Sequence, residues 1–216
     1  ALLSRSQRMD VLAYTSTSHL EELANQNSNR INVLAAKPSV NRSFSNKICF
    51  RKMLHDLNID PVPGYVGSLR EMAFMDLKQK YGIPFVIQFP VGSAGSGTFF
   101  ISDKTAFEYL KESSPGNVIV SRKIQGPSPN INAVVLDHAT LLSYPSIQLI
   151  GIQECTDLSA GYCGNDFATT DSLGGNIVEK IYQQTKIIGG WLRNRAFRGL
   201  FGVDFVTDGT KIYPLE

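Results

Sequence analysis

Cysteine is scarce in this chain. There are three, Cys49, Cys155 and Cys163, and no two form a CxxC pair. That usage fits a reduced, cytoplasmic protein whose thiols are buried or half-buried. Histidine is equally rare. His19, His55 and His138 lie far from the cysteines in sequence, so a zinc site or a Cys–His nucleophile has little support. Net charge is small, at +2, which removes the electrostatic case for nucleic acid or an anionic membrane as partner. Long apolar runs are lacking. The stretch from Tyr81 to Val91 is broken by Gly and Pro and is too short to span a bilayer. The first ten residues carry Arg5, Arg8 and Asp10 without an apolar core, so no signal peptide is read there. No internal repeat or low-complexity tract stands out. What is present is an ordinary globular composition, 43% hydrophobic and 19% charged, in 216 residues that suit one large domain or two small ones.

The pattern along the chain reads as three units. In residues 1–40, Asp10–Tyr14 and Arg30–Ala36 read as short strands. Between them lies a helix opened by Ser18, with Glu21 completing a capping box. A complete mononucleotide-type domain needs more strands, and no initiator Met is present, so this unit is expected to be the remnant of a larger α/β domain. Residues 41–116 form the second unit. It has a helix over Ser45–Leu57, a proline-rich extended run from Ile59 to Val66 and a helix over Leu69–Tyr81 stopped by Gly82. Strands at Phe85–Phe89 and Thr98–Ile101 and a helix capped by Asp103 follow, up to a turn at Pro115-Gly116-Asn117. Residues 117–216 form the third. Strands are expected at Val118–Ile124, Ile131–Leu136 and Thr140–Ile150, a mobile loop over residues 155–176, a helix over Asn176–Arg195 and a closing hairpin.

Four features carry chemistry. The hairpin from Gly199 to Glu216 holds one acid in each apolar strand, Asp204 beside Val203 and Phe205, and Glu216 after Leu215. A carboxylate in a strand built for burial is costly unless paired or bound to a metal. A three-residue loop around Asp208-Gly209 would put both acids on one face, and a two-residue turn would put them on opposite faces. A metal site needs the first arrangement or a bulge. The segment Gly92-Ser93-Ala94-Gly95-Ser96-Gly97-Thr98 lies between strands, and its N–H groups could cradle phosphate, although a flexible hairpin has the same composition. It is neither a Walker A loop nor a dinucleotide fingerprint, because no Lys follows and a strand, not a helix, comes next. Gln88 is a polar amide within an apolar strand and wants a partner, a ligand or a buried backbone group. Ser121 to Ile124 ends a strand before Gly126 and exposes backbone groups that suit the edge of a purine.

The order of these elements resembles the ATP-grasp superfamily over about residues 41–216: Asn46-Lys47 at a helix start, a Gly/Ser loop after a strand, a strand followed by Gly, an acid in a strand, then Leu215-Glu216. The resemblance implies an α+β fold in which two subdomains, residues 41–116 and 117–216, clamp ATP. The tail of a pre-ATP-grasp domain precedes them, and the second subdomain is truncated at its C-terminus. It implies that Lys47 contacts phosphate and that Gln88 stands where a second phosphate-binding lysine is common. Residues Ser93 to Thr98 would cover the phosphates. Ser121, Arg122, Lys123 and Ile124 would read adenine, Leu215 would pack on it, and Ser128 or Asn130 would serve the ribose in place of the usual acid. Asp204 and Glu216 would hold Mg²⁺ or Mn²⁺, with a third ligand, an Asn, expected two residues beyond Glu216. Arg198, by preference over Arg193 and Arg195, would face the reacting group.

The activity so implied is a carboxylate–amine ligase. ATP activates a carboxylate as an acylphosphate, an amine displaces phosphate, and ADP is released. Its partners would be a small-molecule carboxylate and an amine, a peptide or natural-product ligase being the favoured subtype. A homodimer stays open, and the loop from Cys155 to Gly175 is the expected specificity element. A biotin-carboxylase-like enzyme and a non-catalytic ATP-binding module are the alternatives. With the metal site expected to be incomplete at Glu216, weak or absent catalysis is the expectation for this chain.

Overall fold

Strands of three to nine residues set out three sheets, and the computed structural model describes residues 8–114 and 116–216 of the chain. Arg5 of the N-terminal segment and Pro115 of the expected turn lie outside the described residues. Strands β1 (Met9–Leu12) and β2 (Ile31–Leu34) pair in parallel across helix α1 (Ser18–Gln26). The cap falls one residue earlier than the sequence suggests, because the Thr17 hydroxyl, not Ser18, accepts from Leu20 N–H at 3.2 Å. A short helix that the sequence pattern does not separate follows, α2 (Pro38–Phe44), with Pro38 in its first turn, where no N–H is needed. Helix α3 (Lys47–Asp56) then starts at Asn46, whose side chain accepts from Ile48 and Cys49 N–H at 2.9 and 3.2 Å.

The small sheet is antiparallel, in the order β3 (Gly64–Ser68), β6 (Asn117–Arg122), β4 (Phe85–Gln88), β5 (Thr98–Ile101). Helices α4 (Phe74–Tyr81) and α5 (Lys104–Ser113) cover one face. There Phe74, Leu77, Phe85, Ile87, Phe107 and Val120 form one core. Strand alternation sends Val86, Gln88, Thr98, Phe100 and Ser121 to the opposite face. The helix expected over Leu69–Tyr81 is split into a 3₁₀ turn (Leu69–Glu71) and α4. Lys111 Nζ donates to the Met72 carbonyl at 2.8 Å, and Ala73 is extended, so the helical ladder breaks between them.

The large sheet runs β10 (Tyr162–Asp166), β9 (Ser146–Ile150), β7 (Pro129–Val135), β11 (Gly199–Thr207), β12 (Ile212–Pro214), with β8 (Thr140–Leu142) also paired to β7. Helix α6 (Gly175–Arg193) buries Ile177, Ile181, Ile188 and Leu192 against Ile131, Val203 and Phe205. Two expectations are corrected here. The run Thr140–Ile150 is two strands, divided before Ser146 by Pro145, which has no N–H to donate. The expected loop at 155–176 contains β10, recruited by pairing with β9 (Asn165 opposite Gln148, Asp166 opposite Ile147), and a 3₁₀ turn at Thr170–Leu173. Residues assigned by pattern to the second unit also cross over: Phe50, Met53, Leu54 and Ile59 join the core of the large sheet. Among the described residues no helix is long and apolar enough to cross a membrane.

Candidate active site

The two acids of the closing hairpin come together, by neither of the turns the sequence offers. Thr207 pairs with Ile212, leaving a four-residue loop, Asp208 to Lys211. The Asp208 carboxylate ties this loop, accepting from Thr210 N–H, Thr210 Oγ1 and Lys211 N–H at 2.7–2.9 Å, which holds its pKa down at about 2. Strict alternation from this register would turn Asp204 and Glu216 to opposite faces. A bulge prevents it. Leu215 N–H donates to the Asp204 carbonyl at 2.7 Å, and Asp204 N–H donates to the Glu216 carbonyl at 2.9 Å, so two residues oppose one. Both acids then line the same cleft.

Their surroundings are polar but only partly neutralising. Asp204 accepts from Asn130 Nδ2 at 2.6 Å and is also hydrogen-bonded by Gln148. Burial raises its pKa, opposed by those two amides and by Lys47. Lys47 is 2% exposed; its Nζ donates to the Gly92 carbonyl at 3.0 Å and pairs with Glu216. The Glu216 side chain is 42% exposed along its length, yet its carboxylate meets both Lys47 and Asp204. Desolvation raises its pKa, Lys47 lowers it and Asp204 raises it further. Two desolvated carboxylates with one cation between them are a donor set that a hard divalent cation fits, since its charge would offset their repulsion. No group of three His, Cys, Asp or Glu able to hold a metal occurs among the described residues, so Asp204 and Glu216 would supply the protein's carboxylates and other oxygens the rest.

Two cavities meet at this pair, sharing Tyr14, Ala94, Asp204 and Glu216. The larger, about 780 Å³, lies between the sheets. Gln88, Thr98, Phe100 and Ser121 wall it on one side and Gln148, Asp204 and Val206 on the other. Arg122, Lys123, Ile124 and Leu215 line it, with Gly95 at its edge. Gln88 Nε2 donates to Thr98 Oγ1 at 3.4 Å, so its partner is a side chain one strand away. Lys123 Nζ stands 4.3 Å from the Phe100 ring centroid. The smaller cavity, about 370 Å³, takes in Lys47 and Ser93.

Several expected residues lie elsewhere. Ser96 and Gly97 face neither cavity; Ser96 Oγ donates to the Ser93 carbonyl at 2.8 Å, and the Gly97 carbonyl takes Phe89 N–H at 2.8 Å. Asn130 lines neither cavity and reaches the site only through Asp204. Arg198 is not brought to the cleft. Its Nε pairs with Asp137 at 2.7 Å, and Nη1 donates to the Arg193 and Phe197 carbonyls at 3.0 and 2.7 Å, because the chain turns there from α6 into β11. Arg195 stacks 3.6 Å from the Trp191 ring centroid. Cys49 and Cys155 are exposed, and only Cys163 is half-buried. Cys49 is exposed although it lines the smaller cavity beside Phe50 and Met53.

Three further contributors to the site are not singled out by sequence pattern. Gln148 gives the same signal as Gln88, an amide inside an apolar strand. Tyr14 gives none: its phenol lies where a side chain on residue 202 would stand, an added Cβ there being 2.7 Å from Tyr14 Oη. The third is the Ala160 carbonyl, which fills the space over Gly95, at φ 84°, where a Cβ would come within 1.8 Å. The 151–161 loop therefore rests on the glycine loop, and Tyr162 N–H reaches the Ala94 carbonyl at 3.3 Å.

This pair of sheets around a cleft is the ATP-grasp fold, as solved structures show. D-alanyl-alanine synthetase A from Vibrio cholerae superposes with a TM-score of 0.67 at 17% identity, covering 92% of this chain and 60% of its own. Phosphoribosylamine–glycine ligase from Thermotoga maritima gives 0.66 at 16%, covering 99% and 55%. N5-carboxyaminoimidazole synthetase from Staphylococcus aureus, complexed with ADP, gives 0.64 at 14%, covering 100% and 54%. The chain thus spans little more than half the length of these structures. No family model matches the sequence, and no curated protein matches it.

Proposed function

We propose that this chain carries the nucleotide-binding and carboxylate-activating part of an ADP-forming ligase that joins a small carboxylate to an amine. The observation that supports it best is the bulge at Leu215–Glu216, which sets two desolvated acids side by side at the base of a cleft, next to a glycine loop and a buried lysine. Three neighbours of the same fold are named as a synthetase or a ligase, and one of these is complexed with ADP.

ATP with Mg²⁺ or Mn²⁺, held by Asp204 and Glu216, would supply a phosphoryl group for an otherwise unreactive carboxylate. The chain's own residues would do the rest. Lys47, fixed by the Gly92 carbonyl, places a cation behind the acids. Ser93, Ala94 and Gly95, which border the two cavities, would offer backbone N–H groups to phosphate oxygens, while the Ser96 and Thr98 amides are tied within the loop. Ser121 to Ile124 present a strand end to the base, and Leu215 offers it an apolar floor beside Val206. Arg122 and Lys123 bring positive charge to a cavity in which Gln88 is neutral. The 151–161 loop, seated on Gly95, keeps water out.

The test is ADP release from Mg·ATP in the presence of panels of carboxylates and amines. Release that needs one acid and one amine supports the reading. Arg198, tied to Asp137 away from the cleft, favours a second reading, a nucleotide-binding module without catalysis. That reading predicts ATP binding with no turnover on any pair.

A further inference from the structure

The smaller cavity meets the nucleotide cavity at Tyr14, Ala94, Asp204 and Glu216, and beyond Lys47 and Ser93 it extends away from the nucleotide. At about 370 Å³ it falls near the low end of small-molecule sites, which run from roughly 300 to 1,000 Å³. Phe44, Phe50, Ile188, Leu192, Phe197 and Phe201 line it. Three of these side chains are rings held by one another: the Phe44 and Phe197 centroids are 6.3 Å apart, and those of Phe197 and Phe201 6.2 Å. At its mouth Ser45 Oγ already donates to Asn41 Oδ1 at 2.9 Å. Its charged groups are Lys47, which pairs with Glu216, and Asp204, and Tyr14, Thr15, Asn41 and Ser93 add polar side chains to the wall.

Geometry limits what can sit there. Reacting atoms must approach within about 3–3.5 Å. Tyr14, Ala94, Asp204 and Glu216 border both cavities, so a group that receives phosphate from the nucleotide side must present its oxygen at that shared wall. The rest of the molecule then extends into the smaller cavity. A polar body would lose its hydration there against aromatic and aliphatic walls, whereas an apolar body gains by burial.

We propose that the smaller cavity is the subsite for the carboxylate substrate, and that this substrate is a small acid with an apolar body of about the size of a phenyl ring or a branched aliphatic chain. The identification of the bound acid as substrate rests on the ligase reading; the cavity's preference for an apolar acid stands on its walls alone.

Cys49 makes the site measurable, because it lines this cavity and is exposed, while Cys155 is exposed and lines neither cavity. The experiment follows alkylation of each thiol by iodoacetamide, residue by residue, with 3-phenylpropanoate as probe. With the probe at ten times its Kd, Cys49 labelling slows about tenfold, as simple occupancy requires, and Cys155 labelling is unchanged. The variant Ser45→Trp, which puts a ring into the exposed mouth, loses that protection. Unchanged Cys49 labelling at saturating 3-phenylpropanoate would overturn the proposal, as would equal protection by aspartate. Protection of Cys49 with no ADP release on any acid–amine pair would keep the apolar-acid subsite and sink the ligase reading.

Discussion

Asp204 carries two opposed effects. Burial raises its pKa from the ordinary 3.8, so the folded state holds the protonated form better than the unfolded state does. The stability linked to this group is therefore complete below 3.8 and is lost as pH rises through the folded-state pKa, so at neutral pH the ionised carboxylate is a net cost to the empty protein. Asp204→Asn removes that cost and keeps the Asn130 contact, since the amide oxygen still accepts. The variant should melt at a higher temperature than the wild type at pH 7, with the gap closing as pH falls through the folded-state pKa and gone below 3.8, by calorimetry across pH. If the ligase reading holds, any ADP release should vanish in this variant. A lower melting temperature together with full activity would contradict both roles. Lys47 sits on the other side of this balance. Lys47→Met leaves Glu216 and Asp204 without their nearest cation, and on the ligase reading kcat/KM should fall roughly 10²-fold, the scale on which a single preorganised charge contact acts. An unchanged kcat/KM would remove Lys47 from the site.

At the scale of elements, the hairpin and the glycine loop govern the cleft. Alternation in the sequence exposes the acids in β11 and beside β12 but not their facing. The facing depends on a four-residue loop tied by Asp208 and on a bulge set by which N–H meets which carbonyl, and periodicity encodes neither. Helix α3 is legible from Asn46, because an N-cap is local chemistry. Strand β10 is not, because its Gly- and Asn-bearing segment becomes a strand only through its partner β9. The glycine loop belongs to both cases. Its composition is visible, whereas its contact with the 151–161 loop is long-range. Gly95→Val tests that contact. The new side chain would collide with the Ala160 carbonyl at a φ of 84°, so the 151–161 loop should lift. Hydrogen exchange should speed up at Gly161 and Tyr162, whose amides bond Leu158 and Ala94, and on the ligase reading ATP should hydrolyse without ligation. Unaltered exchange there would mean that the two loops do not support each other.

Across the whole molecule, the cleft exists because elements distant in sequence converge. The small sheet contributes Gln88, Thr98 and Ser121, the large sheet contributes Asp204 and Gln148, and the N-terminal unit contributes Tyr14 over Gly202. The order of motifs, Lys47, glycine loop, strand end, acid, acid, is enough to read the fold class from sequence, since each occupies a fixed place in the two-sheet clamp. Domain edges are less legible. Helix α3 lies next to the small sheet in sequence yet buries Phe50, Met53 and Leu54 with the large one. Arg198 shows the same limit at a single residue, since proximity in sequence to β11 carries it to Asp137 and not to the cleft.

The central claim is that Asp204 and Glu216 form a metal–nucleotide site. Calorimetric titration of wild type and Asp204→Asn with ATP, with and without Mg²⁺, tests it directly. The predicted result is saturable, Mg²⁺-dependent binding to the wild type that weakens at least about tenfold in the variant, the loss of about 1.4 kcal/mol expected when one carboxylate leaves a cation site. Absence of binding to the wild type, or equal affinity in both proteins, would contradict it.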